Sequence, residues 1–590
     1  MFAKRPYIYA MAGLLTLASC SDFLNETSQD EVLVKDANDY SELLMGSGYP
    51  SPTEKLYTPL YLMDDDYMLN ENAMSDDEDY SSALSAYPFH TWQPDMWQNA
   101  NVDQSYYGDM YYKSYQRIMG VNAVLDGIDQ ANGDTKTKET VKAEALALRG
   151  YYYYMLVNIF GKPYNEDSKS PGVPLKLTAN LQTNGTPRST VGEVYSQIVN
   201  DLTSAREILS RYPKTRGDFR INLPSVDILL TRVYLQMEDW DNVVKVATDA
   251  IENGNPLTNY LNLPAKAKTF STYDYSEVEW LYGNGYSTCS LPGIRPSSDL
   301  WEKFADNDTR KKLWFTASGK NVNLQKKKLA SKRTPTNAIR MSEAWLARAE
   351  AYAMKDQLSN ATADLDHLRE NRYNNYSPVV YNDRSQLLDE VRKERRLELC
   401  YDEVRWFDLR RYGMPSISHK YKARKSAAWV TYTLSAKDPL YTLPIPNADI
   451  QQNSKLEQNE SAKAPARQGM LTTSEKGEEN EKDNKFISMP GYDGKPQLVV
   501  CRQRRRPRTH RDSVSRLHLA TGQGCCCRCS HCVALSEVRH LFPLRLHGEG
   551  LPMESGKCQL VGHQVSFRPY RSHKGGKSHG SHSAWVARLL

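Results

Sequence analysis

The sequence predicts a mostly α protein, a tetratricopeptide-like helical-repeat scaffold with long, irregular, loop-rich insertions and few strands. Apolar residues recur at helical spacing in several stretches from Tyr111 onward, and two of these stretches have the form of short helical hairpins. Alternation of apolar and polar residues, which is typical of half-buried strands, is rare along the chain. The helices must therefore bury their apolar faces mainly against one another.

The segment 224–252 carries the clearest hairpin pattern. Its first apolar stripe lies on one helix face and consists of Val226, Leu229, Leu230, Val233, Tyr234 and Met237. Glu238 and Asp239 turn the chain, and a second apolar stripe starts at Trp240. Two short amphipathic helices joined this tightly pack antiparallel, and each keeps an apolar side that needs a stacked neighbour.

The segment 339–372 repeats this pattern. Its first helix has a surface of small residues that lets a neighbouring helix approach closely: Ala344, Ala347, Ala349, Ala351 and Ala353. Residues 354–357 form the predicted turn, and the return helix carries Leu365 and Leu368. Because the two hairpins are far apart in the chain, they predict a scaffold with insertions and not a regular array.

The N-terminus has the three parts of a secretory signal. Lys4 and Arg5 supply the positive charge, residues 7–17 form an apolar stretch too short to span a bilayer, and Ala18-Ser19-Cys20 closes it. This ending resembles the bacterial lipobox, in which the chain is cut before the cysteine and the cysteine is acylated. We expect residues 1–19 to be a lipoprotein signal peptide and residues 20–53 a tether lipidated at Cys20. The alternative is a soluble secreted protein in which Cys20 is incidental.

The segment 391–413 is dense in charges of both signs and reads V-R-K-E-R-R-L-E-L-C-Y-D-E-V-R-W-F-D-L-R-R-Y-G. Local spacing predicts one helix here, with ion pairs at i+3 such as Arg395 with Glu398 and Arg405 with Asp408. The amino-acid sequence of this segment resembles the C-terminal signature of the SusD/RagB family. Further blocks resemble the family in the expected order, namely residues 142–161, 188–202, 339–353 and 441–453, with Asp308-Thr309-Arg310 where the family has D-x-R.

This resemblance implies a surface-exposed, lipid-anchored protein of the bacterial outer membrane that captures a glycan or other nutrient. In the family, such a protein passes its ligand to a SusC-like TonB-dependent transporter, and the helical-repeat face docks on that barrel. Loops of the other half form the ligand site, and no catalysis and no cofactor are expected. We assign residues 54–462 to the SusD-like nutrient-binding domain. Neither membrane-spanning helices nor nucleic-acid partners are expected.

Two aromatic-rich irregular segments, 57–115 and 256–335, are where we place the ligand site. Carbohydrate C–H faces stack on aromatic rings, while carboxylate and amide groups bind the hydroxyls. The predicted ligand residues are Tyr67, Trp92, Trp97, Trp280, Tyr282 and Tyr286, with Asp65, Asp66 and Asn99 as polar partners. For each of them the alternative is plain core packing.

Three other functions are open from the residues alone. The acidic runs 64–66 and 76–79 have oxygen ligands for Ca²⁺ but lack the spacing of a calcium loop, so a solvated acidic loop is favoured and no metal site is assigned. A glycan-processing enzyme needs two carboxylates that meet only in space, so sequence spacing does not exclude it. A surface adhesin is the third possibility. No nucleophile, zinc-protease or phosphate-loop motif is present.

The last part of the chain differs from the rest. Residues 501–590 hold 16 basic and 4 acidic residues, seven of the ten cysteines and nine of the twelve histidines. A zinc site among Cys525, Cys527, Cys529, His531 and Cys532 matches no known spacing, and nucleic-acid binding does not fit an exported protein. We therefore expect residues 463–590 to be a disordered, frameshifted or read-through tail.

Overall fold

The computed structural model describes residues 34–52, 54, 56–70, 73–74, 85–97, 110–181, 184–263, 272–284, 293–319, 321–324 and 335–471, together with three strands after residue 557. The chain divides into two compact units, residues 1–475 and 476–590. Cys20 and the predicted signal peptide lie outside the described residues. Within the described part, no helix is both long enough and apolar enough to cross a membrane.

The first unit is built mainly of helices. They are α1 (Ala37–Leu43), α2 (Thr58–Met63), α3 (85–90), α4 (Met110–Gly127), α5 (Thr135–Phe160), α6 (Tyr164–Asp167), α7 (Val191–Arg211), α8 (Leu223–Met237), α9 (Trp240–Asn253), α10 (Ser298–Lys303), α11 (Thr309–Trp314), α12 (Met341–Met354), α13 (Leu358–Glu370), α14 (Arg384–Leu399), α15 (Arg405–Arg411) and α16 (Asn447–Gln452). The predicted mostly α, helical-repeat fold is confirmed.

Both predicted hairpins are present. Helices α8 and α9 join through Glu238, which has a left-handed backbone, and through Asp239, whose side chain caps α9. Helices α12 and α13 join through residues 355–357. Helices α8 and α9 pack on α12, and the contact buries Leu235 of α8, Val243 of α9, and Ala347 and Ala351 of α12 in a small apolar core. The small-residue surface of α12 therefore serves the close approach that its sequence predicts.

The segment that sequence assigned to the tether is partly folded. Helix α1 begins with a capping box made by Asp36 and Asp39, and a short π-helical turn, Leu44–Gly48, follows it. Ala37 and Leu44 are buried in the main core. Because apolar side chains of residues 37–48 pack into the body, this part of the span 20–53 is not a free tether.

Short strands join distant parts of the first unit. They are β1 (Tyr67–Leu69), β2 (Val278–Tyr282), β3 (Ile294–Pro296), β4 (Phe315–Ser318), β5 (Asn321–Leu324), β6 (Asn337–Arg340), β7 (Ile417–Tyr421), β8 (Val430–Leu434) and β9 (Met470–Leu471). All pairs are antiparallel, in the orders β1–β3, β2–β6, β4–β5 and β7–β8–β9. The insertion 256–335 is therefore more regular than predicted, because strands this short give little alternation to detect.

The charged segment 391–413 forms two helices, which corrects the prediction of one. Helix α14 ends at Leu399, and a turn with left-handed Tyr401 and Glu403 leads into α15. The predicted local ion pairs are also wrong. Arg395 binds Asp408 across the turn at 2.9 Å, and Arg405 binds Asp65 at 2.7 Å.

Helix α14 supplies the centre of a buried set of ion pairs, which we call the arginine network: Arg310, Arg340, Arg372, Glu277, Glu394 and Glu398. Three guanidinium groups share Glu398, with N–O distances of 2.8 Å from Arg310, 2.5 Å from Arg340 and 2.9 Å from Arg372. Burial alone would raise the pKa of Glu398, but these arginines outweigh it and hold the pKa well below its usual value.

The described body continues beyond residue 462, where sequence placed the domain end. Arg467 donates to the carbonyl oxygens of Trp92 (3.1 Å) and Thr433 (2.7 Å) and forms an ion pair with Asp438 (2.6 Å). Gln93 exchanges hydrogen bonds with the Arg467 backbone. Segment 464–471 is therefore part of the first unit.

The second unit contains an antiparallel sheet of strands β10 (Cys558–Leu560), β11 (His563–Pro569) and β12 (Trp585–Leu589). Its cysteine-rich stretch 525–532 lies outside the described residues.

Candidate functional site

The strand pair β1–β3 joins the two aromatic-rich segments of the sequence, and β2–β6 joins the second segment to the strand before α12. In β1–β3, Tyr67 faces Pro296, and the Asn70 N–H donates to the Gly293 carbonyl at 2.8 Å. In β2–β6, Tyr282 faces Asn337. Residue 70 therefore lies beside residue 293, and residue 282 lies beside residue 337.

The turn between α14 and α15 contacts both strand pairs. The Tyr401 ring lies 4.6 Å from the Tyr67 ring. Glu403 accepts from the Tyr282 hydroxyl at 3.2 Å and from the Asn337 amide at 2.7 Å. Tyr401 and Glu403, which both have a left-handed backbone, thus connect the turn to β1–β3 and to β2–β6 through their side chains.

Trp280 and Tyr282, two predicted ligand residues, lie in the core. Both are at most 3% exposed, and their rings stack at 4.4 Å with an angle of 21°. The Tyr151 ring meets each of them edge-on, at 5.8 Å and 5.6 Å. The Trp280 indole N–H donates to the Phe219 carbonyl at 3.1 Å. In this arrangement protein atoms occupy the ring faces.

Trp92 and Tyr67 are also buried. The Trp92 ring stacks on the His419 imidazole at 4.3 Å, and His419 stacks on His90 at 4.2 Å. The Trp92 indole N–H donates to the Met63 carbonyl at 3.0 Å. Trp97 is partly exposed, and its indole donates to the Pro444 carbonyl at 2.7 Å. These contacts attach residues 85–97 to the rest of the first unit.

The acidic run 64–66 binds arginines. Asp65 takes both arms of Arg405, at 2.7 and 2.8 Å, and Asp66 accepts from Arg396 at 2.9 Å. Burial would raise the pKa of Asp65, but Arg405 and Arg396 lower it below the usual range. Burial raises the pKa of Asp66 in spite of Arg396. The run 64–66 is therefore not a solvated loop, and the carboxylates of Asp65 and Asp66 bind arginines and are not free to bind a cation.

Tyr286, Asn99 and the second acidic run, 76–79, lie outside the described residues. Among the residues that are described, no group of His, Cys, Asp and Glu side chains is placed to hold a metal ion. The structure thus brings together the segments that sequence chose for the site, and it places six of the nine predicted side chains, Tyr67, Trp92, Trp280, Tyr282, Asp65 and Asp66, in packed or ion-paired surroundings.

Sequence reasoning missed a partly exposed aromatic surface beside α3. Tyr87 of α3 lies 5.9 Å from the Tyr432 ring of β8, and both are partly exposed. Trp429, next to β8, is also partly exposed, with the Lys422 ammonium 5.6 Å from its ring. We use the name aromatic face for these three partly exposed rings, Tyr87, Trp429 and Tyr432, of which Tyr87 and Tyr432 are in contact with each other. The alternation Ile417, His419, Tyr421 in β7 was the available signal for its supporting hairpin.

The chain matches known families and structures. A model described as the SusD family matches residues 158–461, more than half of the chain, and a model described as starch-binding associating with outer membrane matches residues 26–235. No curated protein sequence matches significantly.

Among solved structures, a SusD superfamily protein from Bacteroides thetaiotaomicron VPI-5482 is 24% identical with a TM-score of 0.59, covering 72% of this chain and 99% of that chain. A SusD superfamily protein from Bacteroides vulgatus ATCC 8482 is 22% identical with a TM-score of 0.58, covering 72% and 99%. A SusD-like carbohydrate binding protein from the same strain is 18% identical with a TM-score of 0.55, covering 72% and 97%. At these identities the likeness shows a shared fold.

Proposed function

The chain belongs to the SusD family, and from this premise we propose that it binds an oligo- or polysaccharide at the bacterial surface and delivers it to a SusC-like TonB-dependent transporter. The observation that carries the proposal is the family match over residues 158–461. The match of residues 26–235 to the second model, described as starch-binding associating with outer membrane, supports both the ligand class and the location. We propose that the protein binds without cleaving its ligand.

The aromatic face and the loops near it are the proposed glycan contacts. A pyranose ring presents C–H groups that stack on aromatic rings, and Tyr and Trp also tolerate water at their polar edges. Tyr87, Trp429 and Tyr432 are partly exposed, and Lys422 adds a donor for sugar hydroxyls.

The residues predicted from sequence divide into two groups under this proposal. Trp97, Tyr286 and Asn99 stay proposed ligand contacts, because Trp97 is partly exposed and the other two belong to the same two segments. The six packed or ion-paired residues are proposed as the frame that fixes the loops. A direct ligand contact by these six would require the frame to open.

The anchor and the partner remain parts of the proposal. The Ala18-Ser19-Cys20 sequence supports acylation at Cys20, which would attach the lipid ahead of helix α1 and its cap Asp36. Labelled fatty acid should enter the wild-type chain and not the Cys20→Ala variant. Labelling of both chains equally would contradict lipidation at this residue.

The exposed side of α7, α9 and α13 is the proposed docking surface for the barrel. A tagged chain, solubilised from the membrane in mild detergent, should co-purify with a TonB-dependent barrel protein encoded beside it. Recovery of the chain without any barrel would favour the adhesin.

The central test is retardation of the full chain in native gels that contain single polysaccharides. We expect at least one polysaccharide to slow the chain relative to bovine serum albumin, with no release of reducing sugar on long incubation. Sugar release would replace the carrier by a glycan-processing enzyme. Absence of retardation by every polysaccharide of a broad panel, together with absence of a barrel partner, would overturn the proposal.

A further inference from the structure

The loop between α7 and α8 holds an exposed aromatic residue in an unusual backbone conformation. Phe219 is 43% exposed and has a φ of 63°. Bulky residues rarely adopt this left-handed region, which glycine and asparagine occupy much more readily. An exposed phenylalanine there gives the fold neither good backbone geometry nor full burial. Such an outlier is a reason to look for a function.

The loop is rigidly attached on both sides of Phe219. The Trp280 indole N–H donates to the Phe219 carbonyl at 3.1 Å. Arg216 donates to the carbonyl oxygens of Tyr275 at 3.0 Å and Val278 at 3.1 Å. The Ile221 N–H donates to the buried Tyr49 hydroxyl at 3.1 Å. The exposed ring is thus presented by a fixed backbone, and binding to it would cost little ordering.

A second ring and polar groups stand beside Phe219. The Tyr273 ring lies 5.6 Å away at an angle of 59°, and the Arg216 guanidinium lies 5.8 Å from the Tyr273 ring. Asp218 and Asp274 are exposed neighbours of the two rings in sequence. Flat rings with a guanidinium and carboxylates at their edge are the combination that recognises a pyranose, whose C–H face stacks while its hydroxyls donate and accept.

We propose that Phe219, Tyr273 and Arg216 form a separate carbohydrate subsite that takes one uncharged sugar ring on the Phe219 face. The subsite rests on the proposed glycan-binding function and adds to it a position between the repeat helices and β2. The charges beside the two rings balance, with Lys214, Arg216 and Arg220 against Glu144, Asp218 and Asp274, so neither an acidic nor a basic sugar is favoured and a neutral hexose is the class that fits.

The test compares the full chain with Phe219→Asn and Phe219→Trp in the retardation gels, using a neutral polysaccharide that slows the wild type. Asparagine suits the left-handed backbone, so this variant should fold with an unchanged midpoint of thermal unfolding and lose only the ring. We expect roughly tenfold weaker binding for Phe219→Asn, which corresponds to the loss of one stacking contact. Phe219→Trp should bind as tightly as the wild type or more tightly. Leu181→Ala, at a side chain 89% exposed, is the matched control and should change nothing.

The outcomes separate the two proposals. If the wild type binds a polysaccharide and Phe219→Asn binds it equally well, the subsite is wrong while the proposed function stands. If the wild type binds none, the proposed function fails and the subsite fails with it. Weaker binding by Phe219→Asn with recovery by Phe219→Trp supports the subsite.

Discussion

The helical hairpins and the arginine network are both buried, but they are held by different forces. Where α8 and α9 meet α12, the buried contact is a small apolar cluster of Leu235, Val243, Ala347 and Ala351, and each of these residues contributes separately to the packing. In the arginine network, Glu398 holds three guanidinium groups that come from α11, β6 and the end of α13. A substitution in the hairpins therefore removes a single packing contact, whereas a substitution of Glu398 removes three ion pairs of the network at once.

Replacement of the shared carboxylate should have the largest effect. Glu398→Ala leaves Arg310, Arg340 and Arg372 buried without a common partner. Removing one member of a buried ion pair costs roughly 3–5 kcal/mol, and we expect the free energy of unfolding to fall by at least that much. Urea denaturation followed by circular dichroism measures it. Glu390→Ala, whose side chain is 29% exposed and binds Arg369, is the control and should cost under about 1 kcal/mol. Equal losses in the two variants would contradict the special role of Glu398.

Overfilling the hairpin contact should have a smaller effect. Ala347→Leu adds three carbons where α12 meets the neighbouring hairpin, and overpacking of this kind costs about 1–3 kcal/mol. Leucine is a good helix former, so the loss reports packing and not helix propensity. Ala363→Leu on the exposed side of α13 is the matched control, expected within about 0.5 kcal/mol of the wild type. An unchanged unfolding free energy for Ala347→Leu would show that this contact is loose.

The buried histidines should make stability depend on pH. Burial lowers the pKa of His90, and the neighbouring His419 lowers it further. Burial also lowers the pKa of His419, although two carbonyl oxygens partly oppose this. Both rings bind protons more readily when unfolded, so stability should fall as the pH drops below about 6.5. Each histidine contributes at most about 1.4 kcal/mol per pH unit.

The variant His90→Phe isolates one of these contributions. Its unfolding free energy should depend less steeply on pH between about 6.5 and 5 than that of the wild type, with a constant offset near pH 8, where both rings are neutral. Burial raises the pKa of Asp64, which gives a slope of opposite sign, so the difference between variant and wild type is the quantity to compare. Parallel curves over this range would contradict a titrating His90.

The smallest change in stability is expected at the aromatic face. Trp429→Ala removes a partly exposed ring and should lower the free energy of unfolding by under about 1 kcal/mol. The same variant should bind its polysaccharide roughly tenfold less tightly, because a stacking surface is lost. Trp240→Ala, at the start of α9 in the first hairpin, is the matched control and should keep the affinity. Undiminished retardation of Trp429→Ala would exclude the aromatic face as a ligand contact.

The same comparison explains what the sequence could predict. The hairpins follow from local spacing, so their turns at 238–239 and 354–357 were predictable from residues a few positions apart. Arg395 and Arg405 show the limit, because local spacing offered Glu398 and Asp408, while the folded chain offered Asp408 and the distant Asp65. Only the tertiary fold decides which acid a buried arginine meets.

The sequence predicted two aromatic-rich segments but not which of their rings lie on the surface. Aromatic density identified the two segments that β1–β3 joins. It did not show that Trp280 is fully buried and stacked on Tyr282, and it did not find Phe219, which is exposed but lies outside both segments. A ring in a core and a ring in a binding surface have the same composition signal, and only burial separates them.

Arg467 has a practical consequence for protein engineering. It lies beyond residue 461, where the match to the family model ends, yet it joins the segment carrying Trp92 to β8 and Asp438. A chain shortened at residue 462 would leave the Asp438 carboxylate and the Gln93 amide without this partner and would expose the edge of β8. Recombinant versions that end after Leu471 keep the contacts of Arg467 and the pairing of β9 with β8. We recommend these versions for crystallisation and binding assays.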